Sequence, residues 1–338
     1  MSGVATCMAE LGRPRVVISR CIEFDHCRYN GDMIGNDLVR RLKESGTIDF
    51  IPVCMESEIG LGVPRDPVRI VQMEDGDKRL IQPATGRDVT KLAVDFSEGF
   101  MASLKDADGF ILKSRSPSCG IRDAKVYPKA EKAAALTREA GMFGAAAKAH
   151  FPHLAIEDEN RLRHIKLAEH FLTRVFSFAS WRGMEREGGM RDIVEWHAEN
   201  KLLLMMYSQK EMRAMGNLVA NKEGLSLEAL KAKYGEGLHR ALADPPRCTS
   251  PVNVLHHCLG YVSERLSKAE RDYFLRQLDM YRDARIPLSV CLGVMRSWVI
   301  RFQEPYLMRQ TFFQPFPEGL LEVGVTDSCE WRDLSEKD

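Results

Sequence analysis

Residues 109–120 read GFILKSRSPSCG, a short apolar run that leads into a loop of small residues with one cysteine. Two earlier apolar runs, at residues 16–19 and 50–53, also end just before a cysteine. Short unbroken apolar runs are typical of strands buried in a parallel sheet. In one such sheet the three cysteines would share its carboxyl edge, where open α/β sheets build their sites. These cysteines are Cys21, Cys54 and Cys119.

Three converging thiolates can hold a soft metal centre and leave one coordination position open for chemistry. Taken singly, these features have ordinary interpretations. The loop at residues 113–120 could be a surface turn, and Cys54 could be a buried free cysteine. Because three equivalent strand ends each carry a cysteine, the pattern as a whole favours a site.

Polar side chains flank these cysteines. Glu56 lies two residues after Cys54 and is close enough to donate or accept protons. Ser116 and Ser118 offer hydroxyls beside Cys119, and the residues alone do not separate their roles. Arg65 or Arg69 could hold an anion or a polar ring edge.

Composition describes an ordinary globular protein of 338 residues, 44% hydrophobic and 28% charged. No apolar run of ~18 residues predicts a membrane span, and the N-terminus has no secretory pattern, which predicts a cytoplasmic protein. There the nine cysteines should stay reduced, so metal binding or catalysis is favoured over disulfides. Net charge is zero overall, but residues 201–321 carry 17 basic and 12 acidic residues, +5. This excess permits nucleic-acid contact without arguing for it.

Alternating strands and helices predict an α/β N-terminal domain with a parallel, Rossmann-like sheet, followed by an all-α helical domain. Helices are predicted at residues 36–45, 90–104 and 130–140, and a last strand at 152–157. Breaks are predicted at residues 188–189, 244–246 and 286–287. The predicted divisions are a leader (1–14), the α/β domain (15–160), a helical connector (161–199), the all-α domain (200–321) and an acidic tail (322–338).

Several common chemistries are excluded or weakened by the motifs. The chain has no P-loop, no strand-borne GxGxxG, no GxSxG elbow and no HExxH helix. A zinc site using Cys21, His26, Cys27 and one further thiol is conceivable, although its spacing is not that of a common structural site. The run at residues 256–258 is predicted not to bind metal, because adjacent helical residues point in different directions.

Five motifs, in order and spacing, resemble the 2-thiouracil desulfurase (TudS-type) family over residues 15–157. They lie at residues 18–21, 27–31, 52–56, 62–65 and 111–120, and the SPSCG segment is the most specific. Two positions depart from the family pattern: Met55 stands where proline is usual, and Asn30 where aspartate is common. Residues 200–320 resemble the helical YbgA-type domain that is often fused behind this family.

The resemblance implies a 4Fe-4S cluster held by Cys21, Cys54 and Cys119, with one iron lacking a protein ligand. Cys27 falls at a position where the family is mixed and is expected to be a neighbour. The implied reaction is non-redox desulfuration of a thiolated base such as 2-thiouracil, giving uracil and hydrosulfide at the open iron. Glu56 is expected to activate water or shuttle protons, while Ser116 and Ser118 orient the base.

Two other functions remain open from the sequence. The same cluster could desulfurate thiolated uridine in tRNA, with the basic helical half helping to seat the nucleic acid. Alternatively, the protein could be a non-catalytic metal or sulfur sensor whose helical half contacts a partner. The oligomeric state is not predicted.

Overall fold

A computed structural model describes residues 12–321 and shows a four-stranded sheet in the first half of the chain. Its strands are β1 (Arg15–Ser19), β2 (Asp49–Val53), β6 (Gly109–Leu112) and β9 (Ala155–Asp158), in the order β2-β1-β6-β9. Strands β1 and β6 run parallel, with Val16 opposite Gly109 and Ile18 opposite Ile111. Both are buried almost throughout, which is why their sequences read as unbroken apolar runs. The predicted parallel α/β sheet is confirmed.

A second sheet, which the sequence analysis did not predict, lies in the same half. Its strands are β3 (Arg69–Gln72), β4 (Lys78–Gln82), β5 (Arg87–Asp88), β7 (Ala124–Tyr127) and β8 (Thr137–Glu139), in the order β5-β4-β3-β7-β8. Strands β3 and β4 form an antiparallel hairpin around Gly76, which has a left-handed φ of 89°. Asp75 precedes this glycine, and Asp-Gly between apolar segments is a hairpin signal that could have revealed the sheet.

The helix predicted at residues 130–140 is wrong. Part of this segment is β8, which pairs antiparallel with β7, so that Thr137 lies opposite Val126. The backbone N–H of Leu136 also donates to the Val126 carbonyl at 2.8 Å. Alanine-rich sequence favours helix only weakly, and strand pairing overrides that preference here. The helix instead begins after the strand, at Met142.

Four helices accompany the two sheets: α1 (Asp37–Ser45), α2 (Met55–Glu58), α3 (Thr90–Ser103) and α4 (Met142–His150). The predicted helices at residues 36–45 and 90–104 are therefore confirmed. Asn36 caps α1 by accepting a hydrogen bond from the Val39 N–H at 3.0 Å, and left-handed Gly46 ends it.

The described residues divide into two compact units. The sheet unit contains residues 16–150, 156–171 and 317–321, and the helical unit contains residues 12–15, 151–155 and 172–316. The finer boundaries given above remain predictions. The predicted leader falls mostly outside the described residues, and the acidic tail falls wholly outside them.

The second half of the chain is mostly helical, as predicted. Its α-helices are α5 (Ile165–Glu187), α6 (Met190–Tyr207), α7 (Gln209–Val219), α8 (Leu227–Ala241), α9 (Ser250–Val262), α10 (Lys268–Arg282), α11 (Leu288–Phe302) and α12 (Pro305–Met308). The three predicted breaks fall between helices, and Pro287 is the N-cap of α11. One apolar cluster is centred on Tyr234, which stacks on Trp181 at 4.4 Å between ring centroids. Within residues 12–321, no helix has the length and apolarity needed to cross a bilayer.

Candidate functional site

A cavity of about 330 Å³ in the sheet unit brings the predicted site residues together. Three of its walls follow β1, β2 and β6, whose ends supply the three strand-end cysteines. The six predicted site residues that line it are Cys21, Cys54, Glu56, Ser116, Ser118 and Cys119. Cys27 also lines the cavity, so it contains four thiols, none of which forms a disulfide.

Three of the four thiols are linked, because the Cys27 side chain is hydrogen-bonded to those of Cys21 and Cys54. The Cys54 thiol donates to the Cys27 carbonyl oxygen at 3.9 Å, and the Ser57 hydroxyl donates to the Cys54 sulfur at 3.3 Å. A hydrogen bond with Cys27, followed by burial, raises the pKa of Cys54. Contact with Cys21 raises the pKa of Cys27. The raised pKa values favour the protonated thiols of Cys27 and Cys54, and a metal centre would have to displace those protons from any of them that it binds.

Cys119 is the most enclosed of the predicted ligands. Burial raises the pKa of its thiol to about 12, and the nearby Cys54 contributes to the same shift. The Ser116 hydroxyl oxygen accepts the backbone N–H groups of Ser118 and Cys119 at 3.2 and 3.0 Å. This serine therefore closes the turn that presents the thiol.

Helix α4 holds the same turn from behind. The N–H of Met142 donates to the Pro117 carbonyl at 3.1 Å, and the N–H of Phe143 donates to the Ser118 carbonyl at 2.9 Å. The first N–H groups of a helix have no partner within it, and here the cysteine loop supplies the acceptors. Gly144 permits this contact, because a Cβ there would lie 2.3 Å from the Gly120 carbonyl oxygen.

Glu56 is held between two donors. Arg65 Nε donates to Glu56 Oε2 at 2.7 Å, and the Ser118 hydroxyl donates to Oε1 at 2.6 Å. Arg65 Nη1 also donates to the carbonyl oxygens of Cys27 at 3.1 Å and Gly62 at 2.8 Å. This network joins three of the loops that line the cavity. The geometry separates the serines, since Ser118 contacts Glu56 and Ser116 accepts backbone N–H groups.

A second buried network starts where β6 ends, and sequence reasoning missed it. Glu159, 2% exposed, accepts from the Lys113 ammonium at 2.7 Å and from the Ser114 N–H at 2.8 Å. Asn36 Nδ2 donates to the Glu159 carbonyl at 2.9 Å. A lysine directly after a buried strand is the signal that could have marked this edge. Lys113 lines the cavity.

Arg20 is outside the cavity lining but precedes Cys21 and contacts the cysteine side chains. Its guanidinium pairs with Glu58 at 3.1 Å, and its buried Nε makes no hydrogen bond but lies 3.6 Å from the Asp25 carboxylate. Burial works to lower the pKa of Arg20, but the Cys27 side chain and the neighbouring Cys54 and Glu58 raise it overall. A cation that is hydrogen-bonded to a cysteine side chain and lies beside further soft sulfur ligands fits an anionic sulfur-bound metal group.

The mononuclear zinc arrangement is not assembled. His26 does not line the cavity, and its Nδ1 lies 3.2 Å from the Gly31 carbonyl oxygen. In the part of the chain that the structure describes, no three His, Cys, Asp or Glu side chains are grouped to hold a single metal ion. A single zinc ion needs its ligands about 2.0–2.3 Å from one point. A polynuclear cluster separates its ligands and does not impose that requirement.

Comparison with known proteins gives two matched families. The profile of the 2-thiouracil desulfurase family matches residues 16–159, and that of a family of unknown function, DUF1722, matches residues 201–317. The uncharacterized protein YbbK of Bacillus subtilis (strain 168) is 30% identical over 112 residues, covering 31% of this chain and 72% of YbbK. The uncharacterized protein YbgA of Escherichia coli (strain K12) is 25% identical over 148 residues, covering 43% of this chain and 88% of YbgA.

Comparison with solved structures gives a protein that covers less than half of this chain. It is the 4Fe-4S-dependent thiouracil desulfidase TudS, at 22% identity and a TM-score of 0.36, covering 46% of this chain and 98% of TudS.

Proposed function

The chain belongs to the 2-thiouracil desulfurase family through residues 16–159 and continues into a YbgA-type domain, and on this premise we propose that it desulfurates a thiolated nucleobase. With 2-thiouracil the products are uracil and hydrosulfide. Water supplies the oxygen that replaces sulfur on the ring carbon, and no electrons are gained or lost. The protein is therefore a desulfurase that hydrolyses a thiocarbonyl.

Cys21, Cys54 and Cys119 are the residues proposed to hold a 4Fe-4S cluster. The observation that carries this proposal is that these cysteines, 33 and 65 positions apart in the chain, line one cavity. When bound, a cluster with one iron lacking a protein ligand supplies a Lewis acid with high affinity for soft sulfur. Cys27 is a thiol neighbour in this proposal.

Glu56 is the residue proposed to move protons. Its two oxygens accept from Arg65 and Ser118, and each keeps a second lone pair. The carboxylate can therefore take a proton from the attacking water. Ser118 fixes the carboxylate in place. Ser116 shapes the cysteine turn through its oxygen, and its hydroxyl is proposed to help orient the base.

Oxygen-free purification tests the proposal directly. The reconstituted protein should be brown, contain about four irons per chain and release sulfide from 2-thiouracil. Changing Cys21, Cys54 and Cys119 together to Ala should abolish both colour and sulfide release. Cys258→Ala, which removes a fully buried thiol in the helical unit, is the matched control and should keep both.

An iron-free, colourless wild type after reconstitution would refute the cluster. An iron-loaded protein that releases no sulfide from any thiolated base would instead favour the sensor function. We place the protein in the cytoplasm, because a reducing compartment keeps the four cavity thiols available for metal.

Thiolated uridine in tRNA is a second candidate substrate, favoured by the composition of the cavity rim. Tyr29 lines the cavity and is 44% exposed, with the Arg28 guanidinium 5.6 Å from its ring centroid. Arg115 is an exposed cation on the same lining. Exposed aromatic and arginine side chains are typical of sites that stack a base from single-stranded RNA. Retention of thiolated tRNA should fall steeply with added salt, and retention that is insensitive to salt would argue against this substrate.

A further inference from the structure

Arg65 is a buried cation whose polar contacts leave part of its guanidinium unused. Its side chain is 4% exposed. Its Nε–H donates to Glu56, and the two N–H groups of Nη1 are matched by the carbonyls of Cys27 and Gly62. Arginine has five N–H donors, so the two on Nη2 remain. Within residues 12–321, these two make no hydrogen bond.

The unused donors belong to a side chain that lines the cavity. A ligand in the cavity that brings an acceptor can receive hydrogen bonds from these donors. The other three donors are fixed by the protein, so the guanidinium plane has little freedom to turn away. Arg65 is therefore preorganised to donate to a bound molecule.

The charge of Arg65 limits which acceptor suits it. The Glu56 carboxylate lies 2.7 Å from Nε and is itself only 12% exposed, so the pair as a whole is close to neutral. Such a pair suits an uncharged polar acceptor better than a free anion. The pair therefore presents a hydrogen-bond donor from Arg65 next to a hydrogen-bond acceptor from Glu56.

We propose that Arg65 and Glu56 together read the imide edge of the base, with Arg65 donating to the ring carbonyl and Glu56 accepting the adjacent ring N–H. This inference rests on the proposed function and names the base recognised at that site. In both 2-thiouracil and 4-thiouracil, one ring N–H separates the thiocarbonyl from the carbonyl. Both should therefore be substrates. In 2-thiocytosine the edge presents an acceptor and then an amino donor, so it should be rejected.

The test compares two substrates within each variant. Incomplete incorporation of the cluster then lowers both kcat/KM values equally and does not change their ratio. For the wild type, kcat/KM for 2-thiouracil should exceed that for 2-thiocytosine by about 10- to 100-fold or more. Arg65→Met should lose most of this ratio, whereas Arg65→Lys should keep part of it. Arg69→Met is the matched control, because Arg69 bonds to the Ala130 and Glu131 carbonyls outside the cavity lining and should leave the ratio unchanged.

Binding of uracil and cytosine to the loaded protein gives a readout that needs no turnover. Wild-type protein should bind uracil at least tenfold more tightly than cytosine by saturation-transfer NMR or calorimetry, and Arg65→Met should lose most of this preference. An unchanged preference in Arg65→Met, by turnover or by binding, would overturn the inference while leaving desulfuration intact. Failure of the wild type to release sulfide would refute the proposed function, and the uracil preference would still decide the role of Arg65.

Discussion

Two serines that look interchangeable in the sequence have different surroundings in the fold. Ser118 is buried and donates to Glu56, whereas the Ser116 oxygen accepts two backbone N–H groups of the cysteine turn. Spacing placed both beside Cys119 but could not tell which faced the carboxylate. Glu56 lies in α2, 62 residues earlier than Ser118, and only the folded chain joins them.

Ser118→Ala should therefore impair turnover without removing metal. Loss of the 2.6 Å hydrogen bond to Glu56 should lower kcat about 10- to 100-fold, because the carboxylate is no longer fixed. Iron content should stay at the wild-type level. Sulfide release and iron assays on the same sample check both points.

Ser116→Ala should have the opposite effect. The turn around Cys119 loses an acceptor for two backbone N–H groups, which should cost about 1 kcal/mol of local stability. Iron should then be lost faster during exposure to a chelator. If both alanine variants lowered kcat alone, the distinction drawn between the serines would be incorrect.

A buried histidine gives the helical unit a pH dependence. Burial, aided by the charge of Lys201, lowers the pKa of His197 from 6.5 to about 4, while its Nδ1 lies 2.9 Å from the Tyr234 hydroxyl. Below pH 6.5 the unfolded chain binds the proton first, so stability is lost as the pH falls toward 4. The loss should approach about 2–3 kcal/mol.

Thermal denaturation at pH 7 and pH 5 checks whether stability falls as the pH is lowered. His197→Gln should show a smaller difference between the two pH values than the wild type. Exposed His256 is the matched control, and His256→Gln should leave the difference unchanged. Equal pH sensitivity in wild type and His197→Gln would exclude His197 as its source.

At the scale of elements, sequence patterns predicted the structures that depend on local periodicity. The apolar runs predicted β1, β2 and β6, and the spacing of apolar residues predicted the helices after Asn36 and Val89. The second sheet was missed because its strands are short and largely polar, and because its two hairpins are joined only through the distant pairing of β3 with β7. Alanine at residues 133–135 then suggested helix where the β7–β8 pairing prevails.

Gly144→Ala should disturb the cysteine loop through the start of α4. The added Cβ would lie 2.3 Å from the Gly120 carbonyl oxygen, so the loop must move. We expect a loss of about 1–3 kcal/mol in the free energy of unfolding and a lower iron content. Calorimetry and iron assays measure the two effects.

Gly99→Ala is the matched control for this change. Gly99 lies in α3, and an added Cβ there meets nothing within 4 Å. Its replacement should leave iron unchanged and stabilise the protein by up to about 1 kcal/mol. Equal iron loss in both variants would show that the close contact at Gly144 does not position the loop.

For the whole molecule, the order of a sheet region and a helical region could be predicted because each has its own periodicity. The protein partners of Arg65 and Glu159 could not, since both residues join segments that are distant in sequence. Arg65 contacts the Cys27 loop 38 residues earlier, and Glu159 contacts Ser114 45 residues earlier. The periodicity of a single sequence does not predict which distant residues will pair.

Removal of iron from the loaded protein should affect the two units unequally. A bound group stabilises the part of the chain that holds it. Hydrogen exchange should therefore accelerate after chelation in the loops at residues 20–31, 54–65 and 113–120, and change little at residues 190–313. A uniform acceleration across both units would contradict this expectation.

The attachment of the Cys119 turn to α4 also bears on how this site could be rebuilt elsewhere. The carbonyls of Pro117 and Ser118 are acceptors for N–H groups that begin a helix about 25 residues later. A transplant of the SPSCG segment alone into a foreign scaffold would leave those oxygens without donors. The structural unit to be transplanted is thus discontinuous. A designed protein would need both the SPSCG segment and the start of α4, with glycine at position 144.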